Sequence, residues 1–225
     1  MGEYEQSISR RRLLEMTLGI SGLVMLGGIG TALAQGLKRQ VTPGVEKGPF
    51  YPLMKPLDKD ADLTIIAGHK GRAQGTIVHM TGRVLNENGE PVRGAKVEIW
   101  QANTYGRYSH PNDPNPASLD PDFQGFGVQS TDADGRYRFK TIKPGAYRVT
   151  PDWMRPPHIH VDVSGRRDHL VTQMFFPDEP LNEKDSIFHA IGPDKSSALA
   201  KPLTPTEEIG TDALLLVYDI VLARG

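Results

Sequence analysis

The sequence predicts an all-β protein: an antiparallel β-sandwich with long loops and an extended N-terminal arm. Three observations predict it. Short β-branched or alternating runs recur from Thr76 to Leu222, each bounded by Gly, Pro, Asn or Asp, the pattern of a sandwich or barrel. Helical periodicity is confined to weak signals near Asp212-Ala213 and over Lys195 to Ala200. Residues 35–75 are punctuated by Pro and Gly without a period, which suits an arm lying on the domain or on a neighbouring subunit.

The first element, residues 1–34, reads as an address. Arg10-Arg11-Arg12 precede an apolar, glycine-rich stretch from Met16 to Leu33, and Ala32-Leu33-Ala34 supplies a small-x-small cleavage pattern. Consecutive arginines at that place point to twin-arginine export, so the expected location is periplasmic. A retained anchor is the alternative, but eighteen residues including five glycines would barely cross a bilayer. In the arm, Gly48-Pro49-Phe50-Tyr51-Pro52 is the aromatic cluster, and its prolines favour extended backbone.

The domain at 76–225 then unfolds as strands and turns. Thr76 to Leu85 is β-branched-rich, and Asn86-Glu87-Asn88-Gly89 turns it. Ala95 to Gln101 alternates Val97, Ile99 and Gln101 against Lys96, Glu98 and Trp100. Tyr105 to Ser130 is long for a connection and rich in Pro, Asn and Asp, a length that usually signals function. Asp132-Ala133-Asp134-Gly135 opens a strand over Arg136 to Thr141, and Lys143-Pro144-Gly145 opens another over Tyr147 to Thr150. His158 to Val163, Leu170 to Phe176 and Leu214 to Leu222 complete the set.

Bulk properties narrow the function. The net charge of −1 argues against nucleic acid or an anionic membrane surface as main partner. Without a single cysteine, disulfides and thiolate metal sites are excluded.

The chemistry concentrates in Arg155-Pro156-Pro157-His158-Ile159-His160. On a strand, side chains two apart share a face, so both imidazoles meet one site and Ile159 meets the other. That pair alone suits copper or zinc as well as iron. A lone tyrosine in a strand is most often core, and Tyr137 and Tyr218 fit that role. Tyr108, entering the polar loop after Gly106-Arg107, and Tyr147, just after a Pro-Gly turn, stand apart. Two neutral nitrogens with two phenols able to ionise suit a hard, highly charged cation, for which ferric iron is the candidate. The remaining histidines, His69, His79, His110, His169 and His189, are isolated.

The ordered motifs Trp100-Gln101-Ala102-Asn103, Gly106-Arg107-Tyr108, Thr131-Asp132-Ala133-Asp134-Gly135, Lys143-Pro144-Gly145-Ala146-Tyr147 and Arg155-Pro156-Pro157-His158-Ile159-His160 resemble the intradiol ring-cleavage dioxygenases. Within that family they are most similar to the protocatechuate-type iron-binding (beta) subunits. The resemblance implies one non-haem Fe(III) held by Tyr108, Tyr147, His158 and His160, with Tyr147 the ligand that leaves when substrate binds. It implies that Arg155 and Gln173 flank the bound ring, and that a catechol is opened by O2 to a cis,cis-muconate. Arg148-Val149 stands where the protocatechuate-type subunits carry Pro-Trp, so the expected substrate widens to bare or differently substituted catechols. The extended arm suits a homo-oligomer, and the resemblance to the protocatechuate-type enzymes implies a second subunit type as a further partner. A sandwich that binds a metal or an aromatic diol without turnover is the alternative reading; it would take up no oxygen. A structural or carbohydrate-binding sandwich would in turn tolerate loss of His158.

Overall fold

A computed structural model describes residues 38–225; the proposed signal segment, 1–34, lies outside the described residues. Two sheets face each other across one core. The first is built on β1 (Ile77–Asn86), which pairs antiparallel with β4 (Arg136–Ile142) and parallel with both β10 (Leu214–Val217) and β11 (Ile220–Leu222); β9 (Lys201–Leu203) pairs with β10. The second sheet runs β3 (Phe126–Ser130), β2 (Lys96–Trp100), β7 (His158–Ser164), β8 (His169–Phe175), all antiparallel. A hairpin of β5 (Tyr147–Thr150) and β6 (Trp153–Arg155) stands apart, and one short helix, α1 (Ser186–Ala190), follows β8.

The alternating residues do what the period of two demands. Val78, Met80 and Val84 of β1 meet Val97 and Ile99 of β2 and Ile159, Val161 and Val163 of β7, all within the core. Three details depart from the sequence reading. The expected single strand over Leu214–Leu222 is two, interrupted at Tyr218-Asp219, and both run parallel to β1. Tyr218 donates its backbone N–H to Thr81 and accepts the Tyr137 hydroxyl at 2.5 Å, so the break is a packed feature. Phe126–Ser130, placed in the long loop by sequence, forms edge strand β3. The helical signal at 195–200 is a 3-10 turn over Gly192–Ala198, while α1 lies just before it.

The second sheet is buried on both faces. Lys96, Glu98 and Trp100 alternate away from the core, yet Glu98 and Trp100 are only 2% and 1% exposed. The arm covers them. It is stitched to strand edges by backbone bonds, among them Val45 to Val171 (2.8 Å), Leu63 to Lys140 (2.8 Å) and Val128 to Lys59 (2.8 Å). Glu98 and Asp162 face each other across β2 and β7 on this outer face. The arm neutralises them: Lys55 and Tyr51 reach Glu98 at 2.6 and 2.8 Å, and Lys47 reaches Asp162 at 3.1 Å. The arm therefore lies on its own domain.

Candidate metal centre

The outer face of the second sheet carries the site. Register sets one row across three strands: Trp100 lies opposite His160, and His160 lies opposite Gln173. His158, two residues back, shares that face, and its ring centroid is 4.9 Å from that of His160.

The two phenols come from loops that meet at Asn103. Its side-chain oxygen accepts the N–H groups of Tyr105 and Arg107 at 2.9 and 3.0 Å, and its amide donates to the Ser118 carbonyl at 2.8 Å. These local bonds replace a sheet ladder and fix the loop that ends in Tyr108. The backbone carbonyl of Asn103 accepts from Gly106 (3.0 Å) and from Gly145 (2.9 Å), which ties the Tyr108 loop to the turn preceding Tyr147. Asp113 then accepts the Tyr108 N–H at 2.6 Å.

All four predicted ligands converge. The Tyr108 hydroxyl lies 3.1 Å from His160 Nε2 and 3.4 Å from His158 Nε2, and the Tyr147 ring sits 5.6 Å from that of Tyr108 and 5.7 Å from that of His158. His158 Nδ1 lies 2.7 Å from the Pro156 carbonyl, so it must carry the proton. Its Nε2 is then a bare lone pair aimed at the cluster. His160 is held by stacking: Trp100 lies flat against it at 4.7 Å and 12°. Its Nδ1 is buried without a partner among the described residues.

Electrostatics point the same way. Burial, followed by the Arg155 guanidinium, drives both imidazoles down, His158 well below its ordinary value and His160 to about 3, so both are neutral. Burial pushes the Tyr108 phenol well above its ordinary range, with Tyr147 adding to it; burial also raises Tyr147, against the pull of Arg155. The phenols therefore ionise only against a cation, which couples metal binding to proton release. Among the described residues no three His, Asp or Glu side chains converge, so a centre here depends on the phenols. Two bare nitrogens and two phenols fit a hard trivalent ion.

A cavity of about 230 Å³ opens beside this cluster, walled by Tyr147, Arg155, His160 and Gln173 on one side and by apolar Phe50 and Ile187 on another. It is smaller than the roughly 300–1,000 Å³ of drug-sized pockets, a size for a single ring. Arg155 is 4% exposed and donates to Gln173 Oε1 at 2.6 Å, so the two predicted ring-flanking residues are in contact. Tyr105 points elsewhere, to Gln74, and His110 packs on Phe50 outside the four-group cluster. The sequence reading missed Trp100 as a support for His160, and it missed Asp185, Trp153 and Ile187. Asp185-Ser186 was the available signal, an N-cap residue before a short helix.

Comparison with known proteins follows the same line. The sequence model of the dioxygenase family described as "Dioxygenase" matches residues 46–224. The protocatechuate 3,4-dioxygenase beta chain of Burkholderia cepacia is 47% identical over 199 residues, covering 86% of this chain and 81% of that protein. Hydroxyquinol 1,2-dioxygenase of Rhizobium sp. (strain MTP-10005) is 36% identical over 156 residues, 63% of this chain but only 50% of that protein. The solved catechol 1,2-dioxygenase of Acinetobacter sp. ADP1 superposes with a TM-score of 0.62 at 27% identity, over 83% of this chain and 64% of that one. By the span of the family match and the identity to the beta chain, this chain belongs to the intradiol ring-cleavage dioxygenases, a family of oxidoreductases.

Proposed function

We propose that the protein is a ferric intradiol dioxygenase that opens a catechol ring with O2 to a cis,cis-muconate. The observation that carries the reading is the meeting of two neutral imidazoles and two phenols, Tyr108 buried and Tyr147 half-buried, beside one single-ring cavity lined by Tyr147, His160 and Arg155. Fe(III), held by Tyr108, Tyr147, His158 and His160, would supply Lewis-acid activation of a chelated catecholate towards O2.

The chain's own residues supply the rest. Tyr147 is half-buried at the cavity wall, whereas Tyr108 is 3% exposed and pinned through its loop. Tyr147 is thus the phenol with the freer side, and as the phenolate that a bound cation would stabilise, its oxygen could take the proton of an incoming catechol hydroxyl. Arg155 lies across the hairpin from Tyr147 and holds its guanidinium to Gln173, placed to stabilise negative charge on the ring oxygens. Phe50 and Ile187 grip the ring and exclude water. The substrate is a catechol; Val149 in place of an indole leaves room for bare and substituted rings alike. Residues 1–34 are read as a twin-arginine signal that exports the folded, metal-loaded protein.

The test is the visible spectrum of the purified protein before and after anaerobic catechol, followed by oxygen uptake on a panel of catechols. A tyrosinate-to-iron band that moves to longer wavelength with catechol, and O2 consumption, are expected. A protein that stays colourless after Fe(III) reconstitution would sink the reading in favour of a non-catalytic binding module.

A further inference from the structure

We propose that Asp185 is a positioning residue for Arg155, a buried carboxylate behind the cavity wall that sets the direction of the guanidinium. The inference rests on the dioxygenase reading above, in which Arg155 faces the bound ring.

Asp185 is 0% exposed and lies outside the cavity lining. Its Oδ1 lies 3.0 Å from Arg155 Nε and accepts the Trp153 indole N–H at 3.0 Å. Its Oδ2 accepts the Phe188 N–H at 3.2 Å, as the N-cap of α1. The Arg155 contact is an ion pair whose Nε–H does not point squarely at the oxygen. Charge and proximity fix it, while the directional bond on the other side is the 2.6 Å one from Nη2 to Gln173.

One carboxylate therefore gathers three parts of the wall. Trp153 and Arg155 are two apart on β6 and project to the same side, where both meet Asp185. Ile187, two residues after Asp185, enters the cavity from α1. Gln173 lies opposite His160 in the sheet, so the path from Asp185 through Arg155 and Gln173 ends beside a metal ligand. An arginine has many rotamers, and a buried guanidinium without a counter-charge is unfavourable. Asp185 removes both problems at once. It leaves the guanidinium one working direction, between Gln173 and the cavity, without itself touching substrate.

Asp185→Asn tests this, because asparagine keeps the shape and its one oxygen can still cap α1 at Phe188, while the charge and the acceptor for Trp153 are lost. Iron content, resting colour and anaerobic catechol affinity should stay at wild-type levels, while kcat falls at least about tenfold. In the Arg155→Leu background the same change should slow turnover no further, since the group it positions is gone. Wild-type kcat in Asp185→Asn would overturn the inference. So would a loss of activity that merely tracks lost iron, or effects that multiply in the double variant. If Asp185→Asn does not fold, Asp185→Glu carries the same test, keeping the charge but displacing it by one methylene. A wild-type protein that consumes no oxygen defeats the dioxygenase reading whatever the variants do; an active wild type with an unaffected Asp185→Asn defeats this inference alone.

Discussion

Gly106→Ala should disturb the proposed metal centre from a position that contributes no side chain to it. Gly106 sits at φ +79, and an added Cβ would lie 2.4 Å from the Ala146 carbonyl oxygen and 3.1 Å from Tyr147 Cβ. A left-handed alanine costs roughly 1–2 kcal/mol, and the overlap adds about 1–3 kcal/mol as overpacking. The sum, roughly 2–5 kcal/mol, is a large share of the ~5–15 kcal/mol that keeps a domain folded. Relief requires the Tyr108 loop and the Tyr147 turn to part by about 1 Å, because ordinary contact begins near 3.4 Å, and a shift of that size can cost about a hundredfold in rate. Gly94 is the control: it has φ +70 with nothing within 4 Å of an added Cβ, at the far end of β2 from Trp100. Gly94→Ala therefore carries the backbone strain without the clash. Urea denaturation with iron content and the visible band reads both effects. Gly94→Ala should lose about 1–2 kcal/mol and keep its colour, while Gly106→Ala loses more and has a weakened or shifted band. Equal behaviour of the two variants would refute the claim that this contact sets the spacing of the phenols.

Other perturbations separate the roles of the cluster. Tyr108→Phe should lower iron per chain more than about tenfold, since even outer partners of a ligand cost 10–100-fold in affinity; metal analysis after reconstitution reads it, and full iron loading would remove Tyr108 from the ligand set. Arg155→Leu should cut kcat by roughly 10²–10³ with iron retained, and should also destabilise the fold by about 3–5 kcal/mol because Asp185 stays buried and unpaired; loss of iron would make Arg155 structural. For Glu98, burial pushes the carboxyl up, but Lys55, Tyr51 and Lys96 outweigh it and hold the group below its ordinary 4.5. A depressed acid stabilises the fold above its unfolded value, and that contribution fades as pH falls through the lower folded one. Glu98→Gln should then be about 2 kcal/mol less stable at pH 7, with the gap closing below pH 4.5; a gap independent of pH would show that the charge is not what holds the arm.

The strands and the shared face of the two histidines are legible because they follow from the period of two, whereas Tyr108 and Tyr147 stand out only by their places beside turns and join the histidines through the family resemblance. His158 and His160 share a face on any regular strand, whatever its partners. Register is another matter. That Trp100 stands opposite His160 and Gln173 opposite it on the other side depends on which strands pair, which no local pattern encodes. Edge strand β3 hides inside a Pro- and Asp-rich stretch because Phe126-Gly127-Val128 shows no clean alternation. Helix α1 has five residues, too few for a helical period to show. Asp185 carries no local signal for that reason, and its partners Trp153 and Arg155 lie in a hairpin 32 and 30 residues upstream.

Placing the centre on the outer face of a sandwich makes the arm part of it. An exposed sheet face would leave His158 and His160 in water, where the lowered imidazoles and raised phenols would return towards their ordinary values. The arm dries that face, and its hold is electrostatic: Lys47, Tyr51 and Lys55 grip Asp162 and Glu98 on the same two strands that carry the site. Tyr51 meets Trp100 edge-on at 5.0 Å, and Trp100 lies flat on His160. The two histidines are thus fixed by unlike means, His158 through a hydrogen bond to its own strand's entry and His160 through an aromatic stack that the arm clamps from outside. Glu98, a carboxylate two residues from Trp100 and outside the cavity lining, is in this sense a support for His160 and not for His158.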